Sequence, residues 1–371
     1  MGKLFFRADH VGSLLRPEEL LAARERFVRG EIDVAALHAE EDRAIAAAVA
    51  LQERTGLPVV TDGEYRRENW WIDFIGTLDG VRITEGTLNP AFTSSTDVHY
   101  VPKTVTTVGK LGRRRPLLAG EYRHLAAVAH VPAKVTLPSP SRINVHGGRS
   151  VVSHDVYPDI EAFYADVARV YRREIAALEA AGCRYIQIDD PVTSYFIDPK
   201  MRGLIGGPGE DPDALLARFV RLVNECIAER RPDTTIGVHI CRGNARSAWM
   251  SAGGYERIAD VVLAGLDVDH FLLEYDDERS GDFAPLRAIP RGKCVVLGLV
   301  TTKHGVLEDP DLLCRRVEEA ARYVPLADLA LSPQCGFAST QEGNLISPEE
   351  QWAKLRLVVE TARRIWGDAQ A

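Results

Sequence analysis

The sequence has little cysteine: six residues in 371, without the regular spacing of a disulfide framework, which is typical of reduced intracellular thiols. It also lacks any apolar run approaching the roughly 18 residues that a membrane-spanning helix needs. The N-terminal segment reaches Arg7 and Asp9 after a single lysine, so no secretory signal peptide is predicted. These absences predict a cytoplasmic protein without a membrane partner.

A basic surface is lacking as well. The chain carries 45 lysines and arginines against 53 aspartates and glutamates, which gives a formal net charge of −8. Proteins that bind nucleic acids usually show a basic stripe or patch, so no nucleic-acid partner is expected. Hydrophobic residues make up 46% of the chain, enough for a large core. The sequence allows a homo-oligomer but does not require one.

The two glycine-rich phosphate loops, GxGxxG and GxxxxGK[ST], are absent, which disfavours an open doubly wound sheet. The chain instead repeats a short β-branched run, a polar tip and a helical pattern. Eight such strands alternating with helices predict one (β/α)8 TIM barrel. The predicted strands are 4–10, 58–64, 133–138, 183–189, 235–241, 270–275, 293–300 and 328–333. The predicted helices are 17–29, 34–55, 158–181, 211–230, 254–265, 310–322 and 348–366.

Two regions depart from this repeat. Residues 77–130 contain short alternating segments, such as Val98 to Val108, and predict a β-hairpin insertion after the second strand. The first 57 residues carry extra helix before the second strand. Neither region requires a core of its own, so residues 1–371 are predicted to form one domain.

Polar side chains follow every predicted strand. Barrel enzymes place their chemistry at the carboxyl ends of the strands, and a purely structural barrel would not need these groups there. The pattern therefore predicts an active site. The residues are His10 and Ser13, Asp62 and Glu64, Thr136 and Ser139, Asp189 and Asp190, His239 and Cys241, Glu274, Thr301 and Lys303, and Cys335.

Four of these side chains suit a metal ion. His239 and Cys241 are two residues apart on a strand, so they point to the same side. Glu274 and Cys335 end the sixth and eighth strands. One nitrogen, two sulfurs and one oxygen suit tetrahedral zinc, so we predict a Zn²⁺ site.

Other conspicuous residues have simpler explanations. The remaining four cysteines lie within predicted strands or helices and are expected to be small core residues: Cys183, Cys226, Cys294 and Cys314. His10 ends a strand but is more simply explained without contact to substrate. Trp70 and Trp71 suit either the mouth of the pocket or ordinary loop packing.

Several short motifs, spread over almost the whole chain in the same order, resemble the catalytic domain of cobalamin-independent methionine synthase. They are Gly12-Ser13, Gly63-Glu64, Ile186 to Pro191, His239-Ile-Cys241, Glu274 and Pro333 to Gly336. The resemblance implies zinc held by His239, Cys241, Glu274 and Cys335. It also implies that a substrate thiol joins the metal as a thiolate, the nucleophilic form.

The resemblance further implies an amino-acid substrate. Glu64 and Asp189 would bind its ammonium group, and Ser13 would bind its carboxylate. Asp190 directly follows Asp189 on an extended strand, so its side chain is expected to point the other way. Glu274 is the metal ligand expected to loosen when the thiol arrives.

The sequence differs from the family pattern near the methyl donor. A histidine expected near the end of the seventh strand is best matched by Lys303, and no aromatic residue occurs in Val135 to Ser141, where the family has a tryptophan. We expect Lys303 and Asp189 to act in catalysis, Lys303 by neutralising charge on the leaving group. We also expect methylfolate to be a poor donor.

These observations favour a zinc-dependent S-methyltransferase that converts homocysteine to methionine. The methyl donor would be a methylfolate such as 5-methyltetrahydropteroyltriglutamate, or a methylated corrinoid. One alternative is alkylation of another thiol, such as opening of an epoxide by coenzyme M. The acidic pair Glu64 and Asp189 favours an acceptor with an ammonium group over a sulfonate. The other alternative is a non-catalytic zinc barrel.

Overall fold

The computed structural model describes residues 2–84 and 103–370. Within them the β-strands are β1 (Asp79–Thr84), β2 (Thr104–Gly112), β3 (Lys134–Pro138), β4 (Tyr185–Asp189), β5 (Thr235–Ile240), β6 (His270–Glu274), β7 (Cys294–Val300) and β8 (Leu329–Pro333). The α-helices are α1 (Glu18–Val28), α2 (Val34–Thr55), α3 (Ile72–Ile75), α4 (Ala119–Val128), α5 (Ile160–Ala180), α6 (Val192–Tyr195), α7 (Pro199–Arg202), α8 (Pro212–Ile227), α9 (Glu256–Ile258), α10 (Pro310–Ala320) and α11 (Pro348–Trp366).

Strands β3 to β8 form a parallel sheet in chain order, and long helices connect several of them. Single parallel bridges extend both edges of this sheet: Ala8 lies beside Leu331 of β8, and Val60 lies beside Ala133. The chain therefore has the predicted α/β TIM-barrel fold.

The first two barrel positions are not regular strands, contrary to the prediction for 4–10 and 58–64. In the second segment Val60 bonds to the neighbouring backbone, its carbonyl accepting from the Lys134 backbone N–H at 2.8 Å, but the next residue bonds to a helix side chain. The Thr61 backbone N–H donates to Gln52 Oε1, and the Thr61 hydroxyl donates to the Gly12 carbonyl. Glu64 then adopts a positive φ of 62°, which ends the extended run.

Capping residues explain where several helices begin. Asp159 precedes α5 and accepts from the Glu161 backbone N–H. Ser347 precedes α11 and forms a reciprocal capping box with Glu350. These oxygens satisfy backbone donors of the first turn that have no partner inside the helix. The predicted helix 254–265 is the exception, since it is split into α9 and a π-helix, Ala259–Leu263.

Residues 77–130 contain the antiparallel pair β1–β2 and the helix α4. Thr84 pairs with Thr104, and the residues between the two strands, 85–102, lie outside the described part of the chain. The hairpin is attached to the loop after β3, because the Tyr157 hydroxyl accepts from the Leu111 backbone N–H at 2.7 Å. No helix in the described ranges is both long and apolar enough to span a bilayer.

Candidate metal centre and active site

The carboxyl ends of the parallel strands surround a pocket that collects most of the predicted site residues. Those on its wall are Ser13, Glu64, Asp189, His239, Cys241 and Cys335. Glu274 and Lys303 are not part of the wall. Glu274 lies next to His239, and Lys303 lies behind the pocket residue Asn244.

His239, Cys241, Glu274 and Cys335 form one buried cluster, and one ligand atom from each lies within 4.8 Å of the others. His239 and Cys241 converge because they are two residues apart at the end of β5. Glu274 is the last residue of β6, and Cys335 follows β8 by two residues. The two Sγ atoms are 3.6 Å apart, as are His239 Nε2 and Glu274 Oε1.

The donor set of this cluster fits zinc. Glu274 is fully buried; its Oε1 accepts from the Arg242 backbone N–H at 3.0 Å, but its Oε2 has no hydrogen-bond partner among the described residues. A buried carboxylate oxygen without a donor is costly. A cation held between this oxygen, the imidazole and the two sulfurs would remove that cost. Nitrogen, sulfur and carboxylate ligands are those that zinc prefers.

Hydrogen bonds and burial shift the pKa values of the metal-free cluster. The hydrogen bond between the two thiols lowers the pKa of Cys335 and raises that of Cys241, so Cys335 is the thiol that loses its proton more readily. Burial works against charge on His239 and Glu274. The hydrogen bonds of His239 to Asp189 and Glu274 nevertheless raise its pKa, and the bond from His239 lowers the pKa of Glu274. Binding of a divalent cation would displace the protons on His239 and Cys241.

Asp189 lies beside the cluster. It is the register partner of His239 in the neighbouring strand, and its Oδ1 is 3.3 Å from His239 Nδ1. Metal-binding histidines usually donate their second ring N–H to a carboxylate or carbonyl. His239 Nε2 lies on the other side of the ring, 3.2 Å from the Gln334 carbonyl oxygen and 3.6 Å from Glu274 Oε1.

Glu64 presents an unused acceptor to the pocket. Its Oε1 accepts from the Thr136 hydroxyl at 2.7 Å, whereas its Oε2 is buried and without a partner in the described chain. Burial raises the pKa of Glu64, and the nearby Asp189 adds to this, although Arg67 opposes it. An ammonium group between Glu64 and Asp189 would stabilise both carboxylates.

Ser13 lies next to the cysteine loop. Its hydroxyl oxygen accepts from the Ala338 backbone N–H at 3.3 Å. Gly336 allows this close approach, because a Cβ at that position would overlap the Ser13 hydroxyl. Ser13 thus lies on the same pocket wall as Cys335. Its predicted role is to bind the carboxylate of an amino-acid substrate.

Lys303 reaches the site through Asn244, whose Oδ1 accepts from Lys303 Nζ at 3.3 Å. Its positive charge helps to lower the pKa of Glu274 and Cys335. Asp190 does not line the pocket, as its position on β4 predicts. It accepts from the backbone N–H and hydroxyl of Thr193.

Several loop residues also line the pocket. Trp70 and Trp71, for which the sequence left pocket and packing roles open, are two of them, and the Arg142 guanidinium lies 3.9 Å above the Trp71 ring. Sequence reasoning missed the others. His146 and Tyr195 add two more rings, 5.8 Å apart. The Trp-Trp pair after the second strand is the only signal that pointed to this wall. Arg142 and His146 follow β3 without any motif.

The fold and the site together define a barrel with four buried side chains, able to hold a metal ion, at the carboxyl ends of its strands. Residues 6–364 match the family described as "Cobalamin-independent synthase, Catalytic domain", and the chain belongs to this family. YxjH of Bacillus subtilis is 43% identical over 363 residues, 97% of this chain and 95% of that protein. A methionine synthase of Pyrococcus abyssi is 24% identical over 328 residues, 88% of this chain and 85% of that protein.

A solved structure is also similar. A Listeria monocytogenes protein, described as a candidate vitamin-B12-independent methionine synthase, superposes with a TM-score of 0.78 and 36% identity. The match covers 99% of this chain and all of that one. The family resemblance inferred from the motifs is confirmed.

Proposed function

We propose that this protein is a zinc-dependent S-methyltransferase that methylates homocysteine to give methionine. The observation that carries the proposal is the buried cluster of one imidazole, two sulfurs and one carboxylate beside a pocket with two further carboxylates. Family membership and the name of the Pyrococcus relative support the same reaction.

His239, Cys241, Glu274 and Cys335 would hold the metal. Bound zinc would supply Lewis acidity, which keeps a substrate thiol in its nucleophilic thiolate form near neutral pH. The unpartnered Oε2 of Glu274 makes this carboxylate the ligand proposed to loosen when a thiol enters the site.

The other groups bind and orient the acceptor. Glu64 Oε2 and Asp189 face the pocket and would bind the ammonium group of homocysteine, while Ser13 would bind its carboxylate. A sulfonate thiol such as coenzyme M would meet two carboxylates here and be repelled. The pocket therefore favours the amino-acid acceptor over that alternative.

The methyl donor is proposed to be a methylfolate. Trp70 on the pocket wall can provide a planar surface for a ring, whereas Trp71 is buried and its ring already lies against the Arg142 guanidinium. The expectation that methylfolate is a poor donor rested partly on the missing tryptophan after the third strand, and Trp70 weakens it. The family description, cobalamin-independent, gives no support to a methylated corrinoid. Lys303 would neutralise negative charge that develops on the leaving group.

A methionine assay tests the proposal directly. Zinc-loaded protein is mixed with homocysteine and either 5-methyltetrahydropteroyltriglutamate or methylcobalamin, and methionine is quantified. We expect methionine from the folate, at a low rate, and none with Cys335→Ser. Failure with both donors, although zinc is bound, would contradict the proposed reaction.

A further inference from the structure

A chain of buried hydrogen bonds runs through the barrel interior to the metal cluster. It begins at Lys134, the first residue of β3, whose side chain is fully buried. The Lys134 ammonium donates to Asp9 Oδ1 at 2.7 Å, to Gln187 Oε1 at 2.9 Å and to the His10 carbonyl. All three of its protons are therefore used, as a buried ammonium group requires.

These contacts fix the orientation of the Gln187 amide. Its oxygen faces Lys134, so its NH₂ group faces the other way and donates to the Val11 carbonyl at 2.6 Å and to Asp189 Oδ1 at 2.7 Å. The flipped amide would place donors against the ammonium group of Lys134. It would also place its oxygen against the Asp189 carboxylate, which is repulsive at both ends.

The next contact orients a candidate metal ligand. Asp189 Oδ1 accepts from Gln187 and lies 3.3 Å from His239 Nδ1. A carboxylate held in this position keeps a proton on Nδ1 and fixes the plane of the ring. His239 Nε2 then lies 3.2 Å from the Gln334 carbonyl oxygen and 3.6 Å from Glu274 Oε1, so it is the nitrogen whose proton a metal ion would displace.

We propose that Gln187, oriented by Lys134, is a positioning residue that fixes Asp189 against His239 Nδ1 and so aims His239 Nε2 at the metal site. Neither residue lines the pocket or belongs to the cluster. The metal-affinity part of this inference rests on the proposed function, but the Asp189–His239 contact does not.

The register of the strands explains how these hydrogen bonds form a continuous series. Thr136 of β3 pairs with Gln187 of β4, and Asp189 of β4 pairs with His239 of β5. Gln187 and Asp189 are two residues apart, so both point into the barrel. Three neighbouring strands thus carry the connection from the barrel interior to its catalytic end.

The matched variants are Gln187→Met and Tyr185→Phe. Gln187→Met keeps a similar volume but removes the donor to Asp189. Tyr185→Phe serves as the control. It removes another buried hydrogen bond of the same network, from the Tyr185 hydroxyl to Asp9 Oδ2 at 2.6 Å. This bond does not connect to Asp189. If Gln187→Met fails to fold, Gln187→Glu keeps the acceptor for Lys134 and replaces the donor to Asp189 with a second acidic oxygen.

Two measurements are made on each folded variant. A crystal structure of the metal-free protein gives the distance from Asp189 Oδ1 to His239 Nδ1, and competition with a chelator gives the zinc affinity. For the Gln187 variant we expect the Asp189 carboxylate to turn away from His239 Nδ1 and the zinc affinity to fall by about 10- to 100-fold. Tyr185→Phe should change neither. An unchanged Asp189–His239 contact in the Gln187 variant, or zinc affinity within about twofold of the parent, would overturn the proposal.

These readouts separate this inference from the proposed function. If the parent protein binds no zinc, the metal centre of the proposed function is wrong, and the Asp189–His239 contact still tests the positioning role. If zinc binds tightly to both the parent and the Gln187 variant, the metal centre stands and the positioning role is wrong.

Discussion

Cys241 and Cys335 provide both sulfur atoms of the cluster, with their Sγ atoms 3.6 Å apart. Replacing either with serine removes one of only two thiolates, so Cys241→Ser and Cys335→Ser should each lose most of the bound zinc. Elemental analysis of the purified variants measures this. Cys314→Ser is the control, because Cys314 lies partly exposed on α10, and it should keep about one zinc per chain. Full zinc content in both active-site variants would rule out the cluster as the metal site.

The second residue-scale prediction concerns the acceptor. Glu64→Gln removes the charge but keeps the shape, so it should weaken homocysteine binding by about 1–3 kcal/mol, the range for a lost charge-assisted hydrogen bond. Isothermal titration of the zinc-loaded protein measures the affinity. Simple alkyl thiols without an amine should bind almost unchanged. Equal losses for both kinds of thiol would show that Glu64 does not bind the ammonium group.

Asp189 is a less selective probe than Glu64. Its carboxylate faces the pocket and also contacts His239 Nδ1. Asp189→Asn should therefore lower both homocysteine affinity and zinc affinity. A loss of homocysteine affinity alone would separate the two roles.

At the scale of elements, six barrel strands, β3 to β8, lie within two residues of their predicted bounds. Each is a short strand, rich in apolar residues and buried on both faces, a pattern that sequence alone shows clearly. The first two positions could not be predicted in the same way. Each makes only a single bridge to the sheet, and in the second the Thr61 backbone N–H donates to Gln52 of α2, a partner that no local pattern shows.

The site shows the same division. The metal cluster and Glu64 follow strand ends and motifs, so their positions could be predicted from the sequence. Arg142, His146 and Tyr195 reach the pocket from loops and a short helix after β3 and β4. Their positions depend on how separate loops pack together, which periodicity and spacing do not encode.

Helix α4 carries a prediction about stability. Glu121 lies on its first turn, and burial, followed by the charge of Asp62, raises its pKa to about 7. A carboxyl whose pKa is raised by folding favours the folded state when protonated, so that contribution is lost as pH rises from the unfolded pKa toward 7. Glu121→Gln does not ionise. It should therefore raise the free energy of unfolding at pH 8 by about 1–2 kcal/mol, after allowance for partial exposure, and change it little at pH 4.

Urea denaturation of the parent and Glu121→Gln at the two pH values measures this difference. Glu318→Gln on α10 is a suitable control, since that side chain is not fully buried. A constant difference between pH 4 and pH 8 would mean that Glu121 is not held with a raised pKa.

For the whole molecule, the barrel brings His239, Glu274 and Cys335 from three strands to one buried point next to a pocket with two carboxylates. A purely structural metal site would also be buried and complete, but it would not change its ligands when a thiol arrives. We therefore predict that a metal ion held by this cluster activates the substrate thiol.

Zinc-edge X-ray absorption on the zinc-loaded protein, with and without homocysteine, tests this claim most directly. Without substrate the shell should contain the two sulfurs of Cys241 and Cys335 together with nitrogen and oxygen from His239 and Glu274. With homocysteine we predict one additional sulfur and the loss of the oxygen ligand. A shell that is unchanged at saturating homocysteine would contradict the account and identify the metal as structural.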